Sequence, residues 1–164
     1  MIQTKGALKY MIVFIFFRFC INVLVFLLAY RLWRYFINNK WLIFSGLILL
    51  SLAMGNAVIA SDLTFNTYLD NIFYLLTAFL IVYIKNPLLL RPLTILAAFN
   101  RETAMLIPFL YFISQIDFSG FAITRFNISS IKLPKLYSWV LTAGLYVLFF
   151  TVFVALRIHY GYVE

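Results

Sequence analysis

Long apolar runs, with charged residues confined to the short stretches between them, constrain this chain more than any other feature of its sequence. Crossing the hydrocarbon core of a bilayer takes about 20 mostly apolar residues in a helix. Met11 to Tyr30, Trp41 to Ala60, Tyr68 to Ile84 and Tyr137 to Ile158 all approach that length. They lack the alternation of polar and apolar residues that a barrel wall needs, so the runs predict helices. A soluble fold is excluded by quantity. The chain is 65% hydrophobic and 11% charged, against roughly 25% charged in soluble domains, and its mean hydropathy is +1.01. Water would meet apolar patches far larger than soluble monomers tolerate. The expected fold is therefore all-α, a polytopic transmembrane bundle in one domain over residues 1–164.

Charge then orients the helices. The formal net charge of +8 does not point to nucleic acid, because Lys and Arg sit in clusters between the apolar runs and not along one polar face. Arg31, Arg34 and Lys40 lie in one connection and Lys85 and Arg91 in another, whereas the connection holding Asp62 has no Lys or Arg. The positive-inside rule assigns the first two to the cytoplasm. The bilayer is the expected partner, and the expected location is a bacterial inner membrane or its equivalent. Cys20 and His159 are the only residues of their kinds, so no His/Cys metal centre can form within the chain; a divalent cation held by carboxylates stays open. Asn127-Ile128-Ser129 matches a glycosylation acceptor, a pattern common by chance.

Residues 88–114 are the informative exception. They are apolar at both ends but hold Asn100-Arg101-Glu102-Thr103 in the middle, with Pro108 just beyond. One continuous helix from Pro92 would carry Arg101 and Glu102 about 14 Å along its axis, near the bilayer centre. Each charge there costs about 2.5–3.5 kcal/mol, so the pair must find partners, face a polar hollow or sit at a break. A single crossing would also send Arg125, Lys132 and Lys135 to the outside, against the charge bias. The favoured reading is about four spanning helices plus a broken or re-entrant segment tipped by residues 100–103.

Other polar groups within the apolar runs are candidates for chemistry. Arg101 has the donor fork to grip a phosphate. Asp70 is expected in the first turn of its helix, sharing a face with Asn66, Tyr74 and Thr77; with Asp62 it could supply a general base or bind a metal, or it could simply complement the helix dipole. Arg18 and Asn22 form a second polar face, with Arg18 either paired to Asp70 or Glu102 or snorkelling to the interface. Ser51, Gly55 and Asn56 read as a small-residue packing face.

From Leu96 through Ala104, followed by Leu106-Ile107-Pro108 and Leu110-Tyr111, the chain resembles polytopic glycosyltransferases of the GT-C superfamily, in which a hydrophobic helix pair is interrupted by a short Asn or Thr, Arg, Glu or Pro, Thr pattern. The likeness extends over roughly Arg18 to Gly161, with only Asn100 to Ala104 specific. What it implies is transfer of a sugar from a polyprenyl-phosphate carrier on the non-cytoplasmic face. Asp62 or Asp70 would then be catalytic, and Arg101, Glu102, Asn100 and Arg18 would bind substrate. Such enzymes usually carry a catalytic carboxylate in an external loop after their first helix. No helix and loop of that kind precedes Met11, so the chain is expected to be a fragment, to which partner helices are added. A transporter or flippase element, or a non-enzymatic membrane subunit, is the alternative.

Overall fold

The computed structural model describes residues 2–60, 64–117 and 132–161, and the side chains of residues 8–55, 66–117 and 132–161. Helices account for nearly all of the described residues, and no strand forms among them beyond one isolated antiparallel bridge between Asp117 and Lys132. Leu8–Phe36, Asn66–Ile84 and Leu136–Tyr160 are each long and apolar enough to cross a membrane, which makes this a membrane protein. The backbone contacts gather into two compact units, Met1–Leu75 and Leu76–Glu164.

In the first unit, α1 (Ile2–Phe36) and α2 (Lys40–Ala60) pack against each other. Residues 37–39 join them, and the Asn39 side chain accepts from the Trp41 N–H at 2.9 Å, satisfying one of the donors that a helix start leaves open. Such a short link makes the helices antiparallel neighbours. On α1 the buried residues Ile21, Val25, Ala29 and Leu32 recur at spacings of three and four, a single stripe. The half from Leu8 to Phe17 is exposed throughout, as a lipid-facing helix would be. α1 and α2 contact each other tightly at Gly46, where a Cβ atom would lie 2.6 Å from Trp33 Cζ3. The small-residue face expected at Ser51 and Gly55 is not where the helices meet: both are exposed, and nothing lies within 4 Å of a Cβ built on Gly55.

The third helix, α3 (Thr64–Phe79), starts a turn earlier than expected and runs on through a π-helical turn, Leu80–Ile84. The Lys85 N–H closes that turn on the Leu80 carbonyl at 2.9 Å. Lys85 itself is left-handed at φ 54°, which is unfavourable by roughly 1–2 kcal/mol for a residue with a Cβ. Asn86 then caps a 3-10 turn at Pro87–Leu89 by accepting from the Leu88 N–H at 3.1 Å. Lys85→Gly should remove the left-handed penalty but add backbone entropy to the unfolded chain. A net gain of about 0.5 kcal/mol is expected, readable as a higher Tm in detergent.

Residues 88–114 do not form one continuous helix. They divide into α4 (Leu90–Asn100), an extended residue at Arg101, a 3-10 turn at Glu102–Met105, and α5 (Leu106–Ser114). Both short helices pack on α6 (Leu136–Tyr160). At the start of α4, Arg91 lies beside Tyr137, Val140 and Leu141 of α6, whereas Glu102 meets Arg157 at the far end. α5 then returns, placing Phe112 edge-on to Trp139 with ring centroids 4.6 Å apart. The segment is a hairpin. α4 runs parallel to α6 and α5 antiparallel to it, and both ends of the hairpin lie near the α6 start.

Small and hydroxylated residues make this close packing possible. Ala97, Ala98 and Ala104 are buried in the hairpin, opposite the α6 stripe of Ser138, Leu141, Thr142, Leu145 and Phe149. Among helices in lipid there is little hydrophobic drive, so close van der Waals contact carries the association. The buried hydroxyls of Thr94 and Thr142 each donate to the carbonyl four residues back, at 2.7 Å, and so leave no polar group unsatisfied.

Candidate functional site

The hairpin tip is built by two local choices of the chain. Arg101 adopts φ −159°, ψ 163°, an extended conformation that ends α4, its N–H reaching the Ala97 carbonyl at 3.3 Å. Pro108 enforces the other boundary. In an uninterrupted α-helix its ring would collide with the carbonyl of Ala104 and its nitrogen could donate nothing; three residues into α5 no donor is needed there. Glu102 falls in the first turn after the break, where a negative charge suits the helix start.

At this tip the Arg157 Nη2 lies 3.4 Å from Glu102 Oε2, and the Arg157 guanidinium carbon lies 5.1 Å from the Phe153 ring centroid. The side chains are 37% and 66% exposed, so the pair is held loosely and stabilises by about 1 kcal/mol at most. At about 1.5 Å per residue, Arg157 lies about 31 Å along α6 from Leu136. The Glu102 contact is thus near the far end of a membrane-length helix. The single continuous helix through residues 88–114 does not form. Arg101 and Asn100 are half-buried, and both are engaged with partners, as are Thr103 and Arg157. The tip thus brings Asn100, Arg101, Glu102 and Arg157 together along one short stretch and one contact. Arg157 is the member that sequence reasoning missed, since a partner 55 residues away leaves no local signal.

Asp70 and Arg18 lie in the first unit. Asp70 is the seventh residue of α3, in its second turn and not its first, because the helix begins at Thr64. It is therefore past the position where a carboxylate caps the helix start. Asp70 is half-buried, and it, Asn66, Tyr74 and Thr77 each have interaction partners. Arg18 is half-buried, with its guanidinium carbon 5.5 Å from the Tyr68 ring centroid, and Asn22 donates to the Arg18 carbonyl at 3.2 Å. The Arg18 guanidinium thus lies over the face of Tyr68, an arrangement that favours a cation. Asp62, Arg125 and Asn127 lie outside the described residues.

No cluster of three or more His, Cys, Asp or Glu side chains capable of holding a metal occurs among the described residues. What the tip can offer chemically is two arginines, Arg101 next to Glu102 in sequence and Arg157 in contact with it, and guanidinium forks match phosphate oxygens. Comparison with protein-family models, with curated proteins and with solved structures gives no match.

Proposed function

We propose that the protein is a multi-pass membrane protein of glycosyltransferase type, whose α4–α5 hairpin enters the bilayer from the cytoplasmic side, turns within it and leaves on the same side. Supporting the topology, Lys85, Arg91, Lys132 and Lys135 all flank the hairpin's open end or the α6 start, where positive-inside placement wants them. α4 and α5 have 11 and 9 residues, each short of a full crossing. Under this reading α2 crosses as a fourth span with α1, α3 and α6.

The observation that carries the functional reading is the broken tip, where Arg101 is extended and the Glu102 beside it in sequence meets Arg157 near the far end of α6. The tip is proposed to hold the phosphate of a polyprenyl-phosphate sugar while the sugar passes to an acceptor on the non-cytoplasmic face. Arg101 stabilises the phosphate as it departs, and Asn100 and Glu102 bind the sugar hydroxyls. The general base is Asp70 or Asp62, assigned on side-chain chemistry alone. The test is turnover of a lipid-linked sugar by the full-length protein, beside the double variant Arg101→Ala, Glu102→Ala. A second reading, an element of a lipid-linked-sugar flippase, is favoured by the same feature, since paired half-helices with charge at their break also build transporter sites. Vesicle assays separate the two: an enzyme releases product, whereas a flippase moves unmodified lipid-linked sugar across the bilayer.

A further inference from the structure

A hollow lies at the opposite end of the hairpin from the tip. It has a volume of about 440 Å³ and sits where the end of the π turn, the start of α4, the end of α5 and the start of α6 come together. Leu80, Ile81 and Leu90 give it an apolar wall, while Lys85 and Lys135 stand at it as two cations. Tyr111 and Ser138, 4% and 5% exposed, also line it, together with Ser114 and Gln115. Among the described residues no Asp or Glu lines it, so the two positive charges meet no carboxylate from those residues within the hollow.

Uncommon backbone geometry produces this arrangement. The π turn at Leu80–Ile84 and the left-handed Lys85 bring that lysine to the cavity, and π turns of this kind often occur at functional sites. Lys135 is the N-cap residue of α6, so its side chain stands beside helix N–H groups that also favour an anion. Two ammonium groups, several hydroxyl and amide groups, and an apolar wall continuous with a membrane-length helix together define one ligand chemistry. We infer that this hollow binds the phosphate headgroup of an anionic amphiphile, with its hydrocarbon chain along Leu80, Ile81 and Leu90. The site is independent of the tip and of any sugar transfer there.

The phosphate could come from a bilayer lipid or from a free anion, and the wall decides between them. A lipid satisfies both the lysines and the apolar surface, whereas inorganic phosphate uses only the charges. Each basic residue close to an anionic headgroup contributes about five-fold in affinity.

The experiment uses the full chain in phosphatidylcholine nanodiscs titrated with short-chain phosphatidic acid, with bound lipid counted by native mass spectrometry. Saturable binding is expected, reduced about five-fold in Lys85→Gln or Lys135→Gln and about 25-fold in the double variant. Arg91→Gln is the matched control. It removes one positive charge near the same end of α6 but outside this hollow, so it should leave affinity within about two-fold of the parent. Ser114→Phe fills the cavity while keeping both lysines, and it should abolish the saturable phase. Circular dichroism establishes that each variant remains helical. Equal losses in Arg91→Gln and Lys85→Gln would overturn the site in favour of diffuse surface attraction. Competition by inorganic phosphate as effective as by short-chain phosphatidic acid would overturn the role of the apolar wall, and with it the inference.

Discussion

Gly46→Leu is expected to lower the stability of the first unit by about 3 kcal/mol, the upper part of the range for overpacking a close contact. The physical reason is local. A Cβ atom at Gly46 would already fall 2.6 Å from Trp33 Cζ3 and 3.1 Å from Cε3, closer than carbon atoms approach, and leucine adds three further carbons in the same direction. Either the indole must leave its place or α1 and α2 must separate. Trp33 also reports the event, because an indole pushed out of the contact changes its fluorescence. The measurement is thermal unfolding in detergent followed by tryptophan emission. Gly55→Leu, which meets nothing within 4 Å, should change stability by no more than about 0.5 kcal/mol. Adding Trp33→Val to Gly46→Leu should recover most of the loss by making room for the new side chain. If Gly46→Leu and Gly55→Leu prove equally mild, the packing of α1 on α2 is not as described.

The double variant Arg101→Ala, Glu102→Ala is expected to lower lipid-linked-sugar turnover by about 10²- to 10³-fold, the scale of losing a preorganised charge at a leaving oxyanion. Circular dichroism and thermal unfolding of the variant in detergent separate this loss from unfolding. The Glu102–Arg157 contact is exposed and long, so removing it should change stability by less than about 1 kcal/mol. Arg101→Lys separates charge from geometry: it keeps the cation but not the planar fork and should fall between the parent and the alanine variant. Turnover unchanged in the double variant would remove the tip from the chemistry.

Most helices were legible because lipid demands length and apolarity together, and both are written along the chain. Trp41 to Ala60 was expected and α2 spans Lys40–Ala60; Tyr137 to Ile158 was expected and α6 spans Leu136–Tyr160. The break at residues 100–103 was legible for the complementary reason, that an Asn-Arg-Glu-Thr step followed by Pro108 is hard to keep inside an uninterrupted apolar helix. Treating charges as stops makes the helix ends too short. Lys5, Lys9, Arg31 and Arg34 mark polar surroundings, but Lys and Arg are good helix formers, so α1 continues through all of them from Ile2 to Phe36. The π turn carries no pattern in the apolar sequence Leu80-Ile81-Val82-Tyr83-Ile84, and backbone bonds spanning five residues, such as Lys85 N–H to the Leu80 carbonyl, define it. Gly46 was overlooked in favour of Gly55 because nothing in sequence tells which glycine faces Trp33. Likewise the bridge of Asp117 to Lys132, with its ion pair at 3.9 Å, and the contact of Glu102 with Arg157 depend on how the chain returns on itself.

Sidedness of labelling tests the hairpin most directly. In a Cys20→Ser background, Asn86→Cys precedes α4 and Leu133→Cys precedes α6, where Leu133 is 73% exposed. A maleimide that cannot cross membranes should modify both cysteines in inside-out vesicles and neither in intact cells, because the chain between them enters and leaves on one side. Modification of the two from opposite sides would show that residues 88–114 cross the bilayer once, and the hairpin with its tip site would be wrong.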